Sequence, residues 1–301
     1  EISACLVGSE MCIRDSGADI KTASAGTSNF RAGSGAGDSI TSGGNYNTVV
    51  GDQAGTAITT GDDNTFVGYQ AGDALDEGKG NVAIGKNCLG GDTFGCRNIA
   101  IGHAALISQN FTTETNSFNI GIGYSAGAAI TTGTYNTFIG GEAGDATTTS
   151  SSNTGIGYLA LGANTTGTRN VAVGASVLDA NTTADDNTAI GYASLGANTT
   201  GASNTAVGSY ALDANTTAAN NTAVGYSALG ANTTGSENAS FGRNSMLSNT
   251  TGGDNAAFGN GALYANTTAS NNTAFGSQAL LSNTTSPNNT AVGFAALDAQ
   301  T

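Results

Sequence analysis

Residues 221–237 read Asn-Thr-Ala-Val-Gly-Tyr-Ser-Ala-Leu-Gly-Ala-Asn-Thr-Thr-Gly-Ser-Glu, and most of the chain is a variation on this unit. The unit opens with an anchor, an Asn followed four residues later by Gly, that recurs every 17 residues except for one interval of 21. The anchors are Asn47, Asn64, Asn81, Asn98, Asn119, Asn136, Asn153, Asn170, Asn187, Asn204, Asn221, Asn238, Asn255, Asn272 and Asn289. A repeat of this length indicates one supersecondary unit that is stacked because a single copy cannot bury its apolar side.

The composition is unusual for a globular domain: among 301 residues there are 46 Gly, one Pro and no Trp, and 10% are charged. Disordered chains share this polarity but lack regularly spaced apolar positions, so the periodicity predicts an ordered rod. We therefore predict an all-β fold, a parallel β-solenoid or β-roll of about fifteen 17-residue coils.

The chain divides into three regions. Residues 1–28 lie outside the repeat, and the first 16 resemble the translated read-through of a sequencing adapter, which would leave Cys5 and Cys12 without a role. Residues 29–46 form a degenerate first coil, and residues 47–301 form the regular array. The chain does not begin with Met and stops inside its last unit, so we expect a fragment of a longer protein, truncated at the C-terminus.

The position before the anchor glycine is always β-branched or Phe, which favours a strand. The residue before it is often Ala, and neighbouring strand residues point to opposite faces, so such a strand is buried on both sides. We predict that Val207 and Val224 lie in the coil core, and that Ala206 and Ala223 lie at an oligomer or coil interface. A second copy of the chain would cover that interface, most simply in a homo-oligomer around a common axis.

A second apolar position, eight residues after the anchor, holds Leu or Met in most units, and we predict that Leu212 and Leu229 lie in the core. Four units carry Gly there: Gly55, Gly72, Gly127 and Gly144. Three of them gain a large apolar residue three positions later: Ile58, Leu75 and Ile130. The pattern predicts one core space filled from either side of a bend, since an empty space would be costly. Gly144 is followed by Thr147 instead, which predicts a weaker coil.

Two sets of asparagines recur in register and predict hydrogen-bonded ladders along the rod. The first is the anchor, as in Asn187, Asn204, Asn221 and Asn238. The second is the Asn of Asn-Thr-Thr, as in Asn198, Asn215 and Asn232. Asn-Thr-Thr is also a glycosylation sequon, which remains an alternative. From 153 to 237 alternate units also differ, with Tyr158, Tyr192 and Tyr226 lying 34 residues apart while Gly and Asp exchange at another position.

Candidate catalytic and metal-binding residues are sparse. The single His103 occupies a position that holds Tyr or Lys in other units, and we interpret it as a surface variant. Cys88 and Cys96 do not have zinc spacing, and Cys88 is interpreted as a buried free thiol, with a pair between the two as the alternative. Aspartates near the turns lack the Gly-Gly-x-Gly-x-Asp repeat of calcium-binding β-rolls. We therefore predict no catalytic, cofactor or metal site.

Charge excludes several partners. The net charge is −14, and after residue 153 Arg169 and Arg243 are the only basic residues, whereas phosphate binding requires clustered Lys or Arg. We therefore expect no nucleic-acid partner. Since no apolar run approaches the roughly 20 residues of a membrane helix, we also expect no membrane insertion.

The unit at 221–235 resembles the repeats of bacterial and phage tail-fibre-like proteins, and the resemblance extends over about residues 47–301. More distantly, Asn-Thr-Ala-Ile-Gly at 187–191 resembles the head repeats of trimeric autotransporter adhesins, without one of their residues. The resemblance implies a homotrimeric parallel β-roll on a virion or bacterial cell surface. A self-cleaving chaperone or a membrane anchor often follows such repeats.

These observations favour a non-enzymatic structural shaft or adhesive head of an extracellular fibre. Its partners would be other copies of the chain and an unidentified surface receptor or glycan. The alternative is a monomeric solenoid that recognises ice or another surface. Its candidate face would be the paired threonines Thr165–Thr166, Thr182–Thr183 and Thr199–Thr200.

Overall fold

The computed structural model describes residues 25–298, which form one parallel β-solenoid and contain no helix. Residues 1–24 and 299–301 lie outside the described residues, and with them the segment 1–16, Cys5, Cys12 and the terminal Thr301. The predicted all-β solenoid with coils about 17 residues apart is confirmed. The degenerate first coil belongs to the stack, since Phe30 pairs with Thr48 of the next coil.

Sixteen strands of three residues form one parallel sheet, each strand pairing with its counterpart one coil later. At about 4.8 Å per strand, the sheet is about 70 Å long. Its strands are β1 Phe30–Ala32, β2 Thr48–Val50, β3 Thr65–Val67, β4 Val82–Ile84, β6 Ile99–Ile101, β8 Ile120–Ile122, β9 Thr137–Ile139, β10 Thr154–Ile156, β11 Val171–Val173, β12 Thr188–Ile190, β13 Thr205–Val207, β14 Thr222–Val224, β15 Ala239–Phe241, β16 Ala256–Phe258, β17 Thr273–Phe275 and β18 Thr290–Val292.

Two short strands accommodate the irregular interval. β5 (Gly95–Cys96) pairs in parallel with β7 (Thr115–Asn116) where the coil between Asn98 and Asn119 is four residues longer than the others. The extra residues enter the turn before the anchor, because β6 and β8 keep the register Ile99↔Ile120. The main sheet therefore passes through the irregular coil without interruption.

The core of each coil is narrow and filled by few side chains. In the coil that begins at Asn221, Ala223, Ala228 and Leu229 are fully buried, as are the amides of Asn221 and Asn232. One leucine and two alanines fill the apolar part, and the two asparagines fill the polar part. A 17-residue coil therefore encloses a small mixed core instead of a wide apolar one.

The predicted assignment of the two strand faces is wrong. Ala206 and Ala223 are fully buried in the coil core, whereas Val207 and Val224 lie on the outer face and are partly exposed. The physical reason is space, because the leucine and the asparagines leave room for only a methyl group beneath the strand. Leu212 and Leu229 are buried as expected.

The anchor glycine is required by the close stacking of coils. Gly225 has φ +136°, and a Cβ built on it would lie 2.6 Å from the carbonyl oxygen of Gly242, the anchor glycine of the next coil. No side chain fits at such a distance, and an L-residue rarely adopts this backbone conformation. The anchor pattern is thus set by a glycine seam at which successive coils touch through the backbone.

The exchange of Leu and Gly has a conformational cause as well as a packing one. Leu229 has φ 53° and Gly55 has φ 53°, so this position is left-handed in both versions of the unit. Gly tolerates that conformation without strain, whereas Leu adopts it at a cost. Ile58 is buried as expected, so the core space is filled from the other side of the bend.

The coil at Gly144 is filled by a residue that the sequence pattern did not assign to this role. The ring of Phe138 is fully buried, and a Cβ on Gly144 would lie 2.4 Å from its Cε1 atom. The predicted empty space therefore does not exist, which removes the reason given for a weaker coil. Thr147 is buried beside it, and its hydroxyl oxygen has no hydrogen-bond partner.

Candidate functional site

The anchor asparagines form a continuous ladder through the core. The side-chain oxygen of Asn204 accepts from the backbone N–H of Asn221 at 3.0 Å, and Asn221 Nδ2 donates to the carbonyl of Gly235 at 3.0 Å. Asn187 and Asn238 continue the ladder on either side, at 2.9 Å and 3.0 Å respectively. Each anchor asparagine therefore bonds to the preceding coil through its backbone N–H and to the following coil through its side-chain oxygen.

The asparagines of Asn-Thr-Thr form a second ladder beside the first. Asn215 Nδ2 donates to Asn198 Oδ1 at 2.9 Å, and Asn232 Nδ2 donates to Asn215 Oδ1 at 3.0 Å. Asn232 Nδ2 also donates at 2.9 Å to the carbonyl of Gly235, which accepts from Asn221 as well. The two ladders meet at one carbonyl in each coil. Because these amides are fully buried, the glycosylation alternative does not fit the folded array.

The paired threonines do not form a uniform surface. The hydroxyls of Thr165, Thr182 and Thr199 each donate to a carbonyl of the next coil, at 2.9, 3.1 and 3.0 Å. The second threonine of each pair, as in Thr166, is exposed. One threonine per coil thus faces solvent, and the other stabilises the stack.

An uncharged surface covers the outside of the main sheet. We call it the sheet face, and it consists of the first and third residues of each main-sheet strand from β2 to β18, without β5 and β7. The first residues form a row of mostly Thr, such as Thr205 and Thr222, and the third residues form a row of Val, Ile and Phe. Neither row contains a charged residue. The apolar row is partly exposed, with an exposed fraction of 40% at Ile190 and 71% at Val292, its last member.

Near its C-terminal end, the apolar row contains three consecutive phenylalanines, which are the third residues of β15, β16 and β17. The rings of Phe241 and Phe258 stack with centroids 4.8 Å apart and planes 5° apart, and Phe275 follows at 5.7 Å. Phe275 is 57% exposed. Stacking orders the rings along the rod but leaves their outer surfaces uncovered in the single chain.

Several aspartates in the turns before the anchors form hydrogen bonds or ion pairs between coils. Asp62 Oδ1 accepts from the backbone N–H of Asn45 at 2.8 Å. Asp185 Oδ1 accepts from the N–H of Thr168 at 2.6 Å, and Asp186 forms an ion pair with Arg169 at 2.6 Å. These aspartates contribute to the negative net charge of the chain, and they also stabilise the contacts between successive coils.

The residues considered for catalysis are dispersed. His103 is exposed and stacks on Tyr124, with ring centroids 5.5 Å apart. Cys88 and Cys96 are free, and burial raises the pKa of the Cys88 thiol to about 12, so that it is protonated at neutral pH. Cys88 Sγ donates to the carbonyl of Gly85 at 3.0 Å. Within residues 25–298 there is no group of three or more His, Cys, Asp or Glu residues that could hold a metal ion.

A buried carboxyl group lies where the repeat becomes irregular. Asp92 is fully buried and accepts from Gln109 Nε2 at 2.6 Å and from the N–H of Gly95 at 3.0 Å. Gln109 Oε1 in turn accepts from Asn119 Nδ2 at 2.8 Å. Burial raises the pKa of Asp92 despite these hydrogen bonds. Asp92 and Gln109 thus occupy the second ladder and connect it to the anchor ladder.

A shallow groove of about 640 Å³ is formed by residues that come after the strand in each of three consecutive coils. Tyr210, Asp213, Tyr226, Gly230 and Leu247 contribute to its walls and floor. Tyr210 packs edge-on between Tyr192 and Tyr226, with ring centroids 5.4 and 6.0 Å apart.

The Tyr–Asp–Gly part of this arrangement recurs along two further pairs of coils, where Ser176 and Glu142 occupy the position of Tyr210. A Cβ on Gly230 would lie 3.5 Å from Asp213 Oδ1, so the carboxylate leans over the glycine of the next coil. The equivalent distance is 3.5 Å from Gly196 to Asp179 Oδ1, and 3.8 Å from Gly162 to Asp145 Oδ1. Tyr158, Tyr192 and Tyr226, on the glycine-bearing coils, are 57%, 53% and 51% exposed. We call this set of three Tyr–Asp–Gly units the tyrosine groove.

The alternation of Tyr and of Gly with Asp between successive units in residues 153–237 was the sequence feature that could have indicated the tyrosine groove. It gave no sign that Tyr and Asp of neighbouring coils would share a groove, because the direction of each bend is not readable from the period. Along the described residues no helix is long and apolar enough to cross a membrane. Comparison of the chain with known protein families, curated proteins and solved structures found no match.

Proposed function

We propose that this chain is a non-enzymatic structural rod, the shaft or adhesive head of an extracellular fibre on a bacterial surface or virion. The observation that carries the proposal is the sheet face, which offers one partly exposed apolar row and one Thr row without a single charge. Two hydrogen-bonded ladders and a glycine seam make the body of the rod rigid. Rigidity and reach are what a fibre shaft requires.

Lateral association through the sheet face follows from its size and chemistry. A strip about 70 Å long and roughly 10 Å wide has an area of about 700 Å², which approaches the roughly 800 Å² per partner of a stable interface. The lack of charge in the strip also matters, because charges at the contact would add to the repulsion between copies of a chain with net charge −14. We propose further copies of the chain as the occupant, with a trimer as the arrangement that the tail-fibre resemblance implies.

Analytical ultracentrifugation tests this proposal. The unmodified chain is expected to sediment as a homo-oligomer at micromolar concentration, and Val207→Lys/Val224→Lys is expected to sediment as a monomer, because it places four or more like charges in each interface. Thr234→Lys, at an exposed position away from the sheet, is the matched control and should leave the oligomer intact. Circular dichroism would verify that each variant is folded. A monomeric unmodified chain, or an oligomer unaffected by the two lysines, would contradict the proposal.

A monomeric ice-binding solenoid is a second candidate, favoured by a different property of the same face. Thr188, Thr205 and Thr222 pair in register on consecutive strands, so that their side chains repeat at about 4.8 Å beside an aliphatic row. This array replaces the Asn-Thr-Thr pairs as the candidate ice-binding surface. Thermal hysteresis of a monomeric sample, lost in Thr205→Lys, would support this candidate, and its absence in the unmodified chain would eliminate it.

A further inference from the structure

The tyrosine groove repeats with a fixed period on one side of the rod. Its three units are two coils apart, which is about 9.6 Å at 4.8 Å per coil. Ala175 and Ser209 lie between the tyrosines in the same column, and the ring of Tyr210, one position later in its coil, packs edge-on between Tyr192 and Tyr226. Each of the three tyrosine-bearing coils supplies a glycine as the floor of its unit. The run ends after Tyr226, where Arg243 and then Asn260 occupy the column.

The charge of the groove defines the sign of its ligand. Asp145, Asp179 and Asp213 are each partly buried, and among residues 25–298 none of them forms an ion pair, since the ion pairs there involve other carboxylates. Each carboxylate lies within reach of the floor glycine of the next coil, and Asp213 shares its part of the groove with the ring of Tyr226. A carboxylate beside an exposed aromatic ring suits a cation, which gains both a charge pair and a cation–π contact.

The period defines the shape of the ligand. A polyproline II helix has three residues per turn and advances about 9.3 Å per turn. Residues three apart on such a helix lie on one face and would meet successive units of the groove with an accumulated offset of about 0.6 Å over two steps. A β-strand ligand does not match, because residues three apart on a strand point to opposite sides.

We infer that the tyrosine groove binds a segment in polyproline II conformation that carries a basic residue at every third position. Each basic side chain would lie over a glycine floor, against one tyrosine ring and one aspartate. The prolines or other residues between them would contact the rings from the side, as in aromatic-lined grooves that recognise this conformation. This surface is separate from the sheet face, so the inference stands whether or not the rod associates laterally.

Fluorescence polarisation with a labelled nine-residue peptide, Pro-Pro-Arg repeated three times, tests the inference. Measurements belong at about 0.15 M salt, where a Debye length of about 8 Å limits general attraction to the acidic rod. A peptide of identical composition with its three arginines adjacent is the control for register. We expect the periodic peptide to bind about fivefold more tightly than the control, because only it can occupy all three units.

Matched variants locate the binding site. Tyr192→Ser/Tyr226→Ser and Asp179→Asn/Asp213→Asn are each expected to weaken binding of the periodic peptide about fivefold or more. Tyr124→Ser changes an equivalent tyrosine whose coil lacks the Asp–Gly unit, and Asp254→Asn changes an exposed turn aspartate, so neither should weaken it. Thermal melts would verify that the variants are folded.

Three results would overturn the inference. The first is equal binding of both peptides, which would indicate attraction by charge alone. The second is a loss in the control variants as large as that in the groove variants. The third is binding of a neutral linear oligosaccharide that depends on Tyr192 and Tyr226 while the peptide does not bind, which would make the groove a glycan site.

Discussion

Single positions in this rod are governed by backbone conformation as much as by burial. Leu229 is fully buried but has φ 53°, a left-handed conformation that costs an L-residue about 1–2 kcal/mol. Its neighbour Ala228 is equally buried and has no positive φ. Glycine should therefore be more stable than alanine at position 229 but less stable than alanine at the adjacent position 228.

This contrast gives a prediction for two neighbouring sites. Leu229→Ala should destabilise the protein by about 2–5 kcal/mol, because it leaves a cavity in the core. Leu229→Gly removes one more carbon but also the strain, so it should be about 1 kcal/mol less destabilising than Leu229→Ala. At the control site, Ala228→Gly should destabilise the protein by about 0.5–1 kcal/mol. Denaturant titrations would measure all three, and a Leu229→Gly variant less stable than Leu229→Ala would contradict the argument.

At the scale of single residues, the sequence predicted a position correctly where its residue type could have only one structural role. The buried leucines and the two asparagine ladders followed from periodicity, because a recurring amide or leucine in a stacked coil has few alternatives. The order of Ala223 and Val224 did not follow, since both are apolar and alternation alone cannot say which side is inside. Only the cross-section of the coil, already filled by Leu229 and the amides, decides it.

Each coil is an element that fills a fixed core volume with a variable set of side chains. In the coil that begins at Asn47, Gly55 leaves space that Ile58 occupies, and a Cβ on Gly55 would lie 2.7 Å from Ile58 Cδ1. Val49 and Phe66 lie 3.1 Å from the same point. The two versions of the unit are therefore alternatives that cannot be combined freely.

A double-mutant cycle at Gly55 and Ile58 tests this view of the coil. Gly55→Leu alone should destabilise the protein by about 1–3 kcal/mol through overpacking. Ile58→Ala alone should cost about 2–5 kcal/mol through the cavity it leaves. The double variant should be more stable than the sum of the single effects predicts, by about 1 kcal/mol or more, because the leucine can occupy the space left by the isoleucine. Additive effects in equilibrium unfolding would show that the two positions fill separate spaces.

The exchange of Gly and Leu was visible in the sequence, but the sequence pattern did not show that the residue two positions after the anchor also helps to fill the core space. Phe66 and Phe138, two residues after their anchors, are the bulky exceptions at a position usually held by Ala, and both occur in coils with Gly in the leucine position. A comparison of these two positions across units would have found Phe138 as the residue that fills the space beside Gly144. Periodicity identified the coil, whereas the packing partners needed its three-dimensional path.

Along the rod formed by residues 25–298, several partly or fully buried carboxyl groups have no ion-pair partner. Burial raises the pKa of Asp73, Asp92, Asp145, Asp179 and Asp213, with the nearby Glu142 adding to the effect at Asp145. The pKa of Asp186 is lowered instead, because it pairs with Arg169. Upward shifts of carboxyl groups thus outnumber downward ones.

The stability of the rod should therefore increase in mild acid. Between the unfolded pKa of Asp, about 3.9, and the raised folded values, the folded state binds more protons than the unfolded state, so stability increases as pH falls through this window. The thermal unfolding midpoint, followed by circular dichroism, should be higher at pH 5 than at pH 7. Asp145→Asn/Asp179→Asn/Asp213→Asn should reduce that difference. A midpoint that decreases steadily from pH 7 to pH 5 would contradict the expected sign.

The 17-residue register also has a genetic consequence. Unequal recombination between near-identical units adds or removes whole coils, and each event would keep both ladders, the glycine seam and the sheet face aligned while changing the length by about 4.8 Å. An event of one unit within residues 136–237 would place like units next to each other and break the alternation of Tyr158, Tyr192 and Tyr226, whereas an event of two units would preserve it. Natural variants of this gene should therefore differ in the number of coils, and within the tyrosine groove they should differ in even steps.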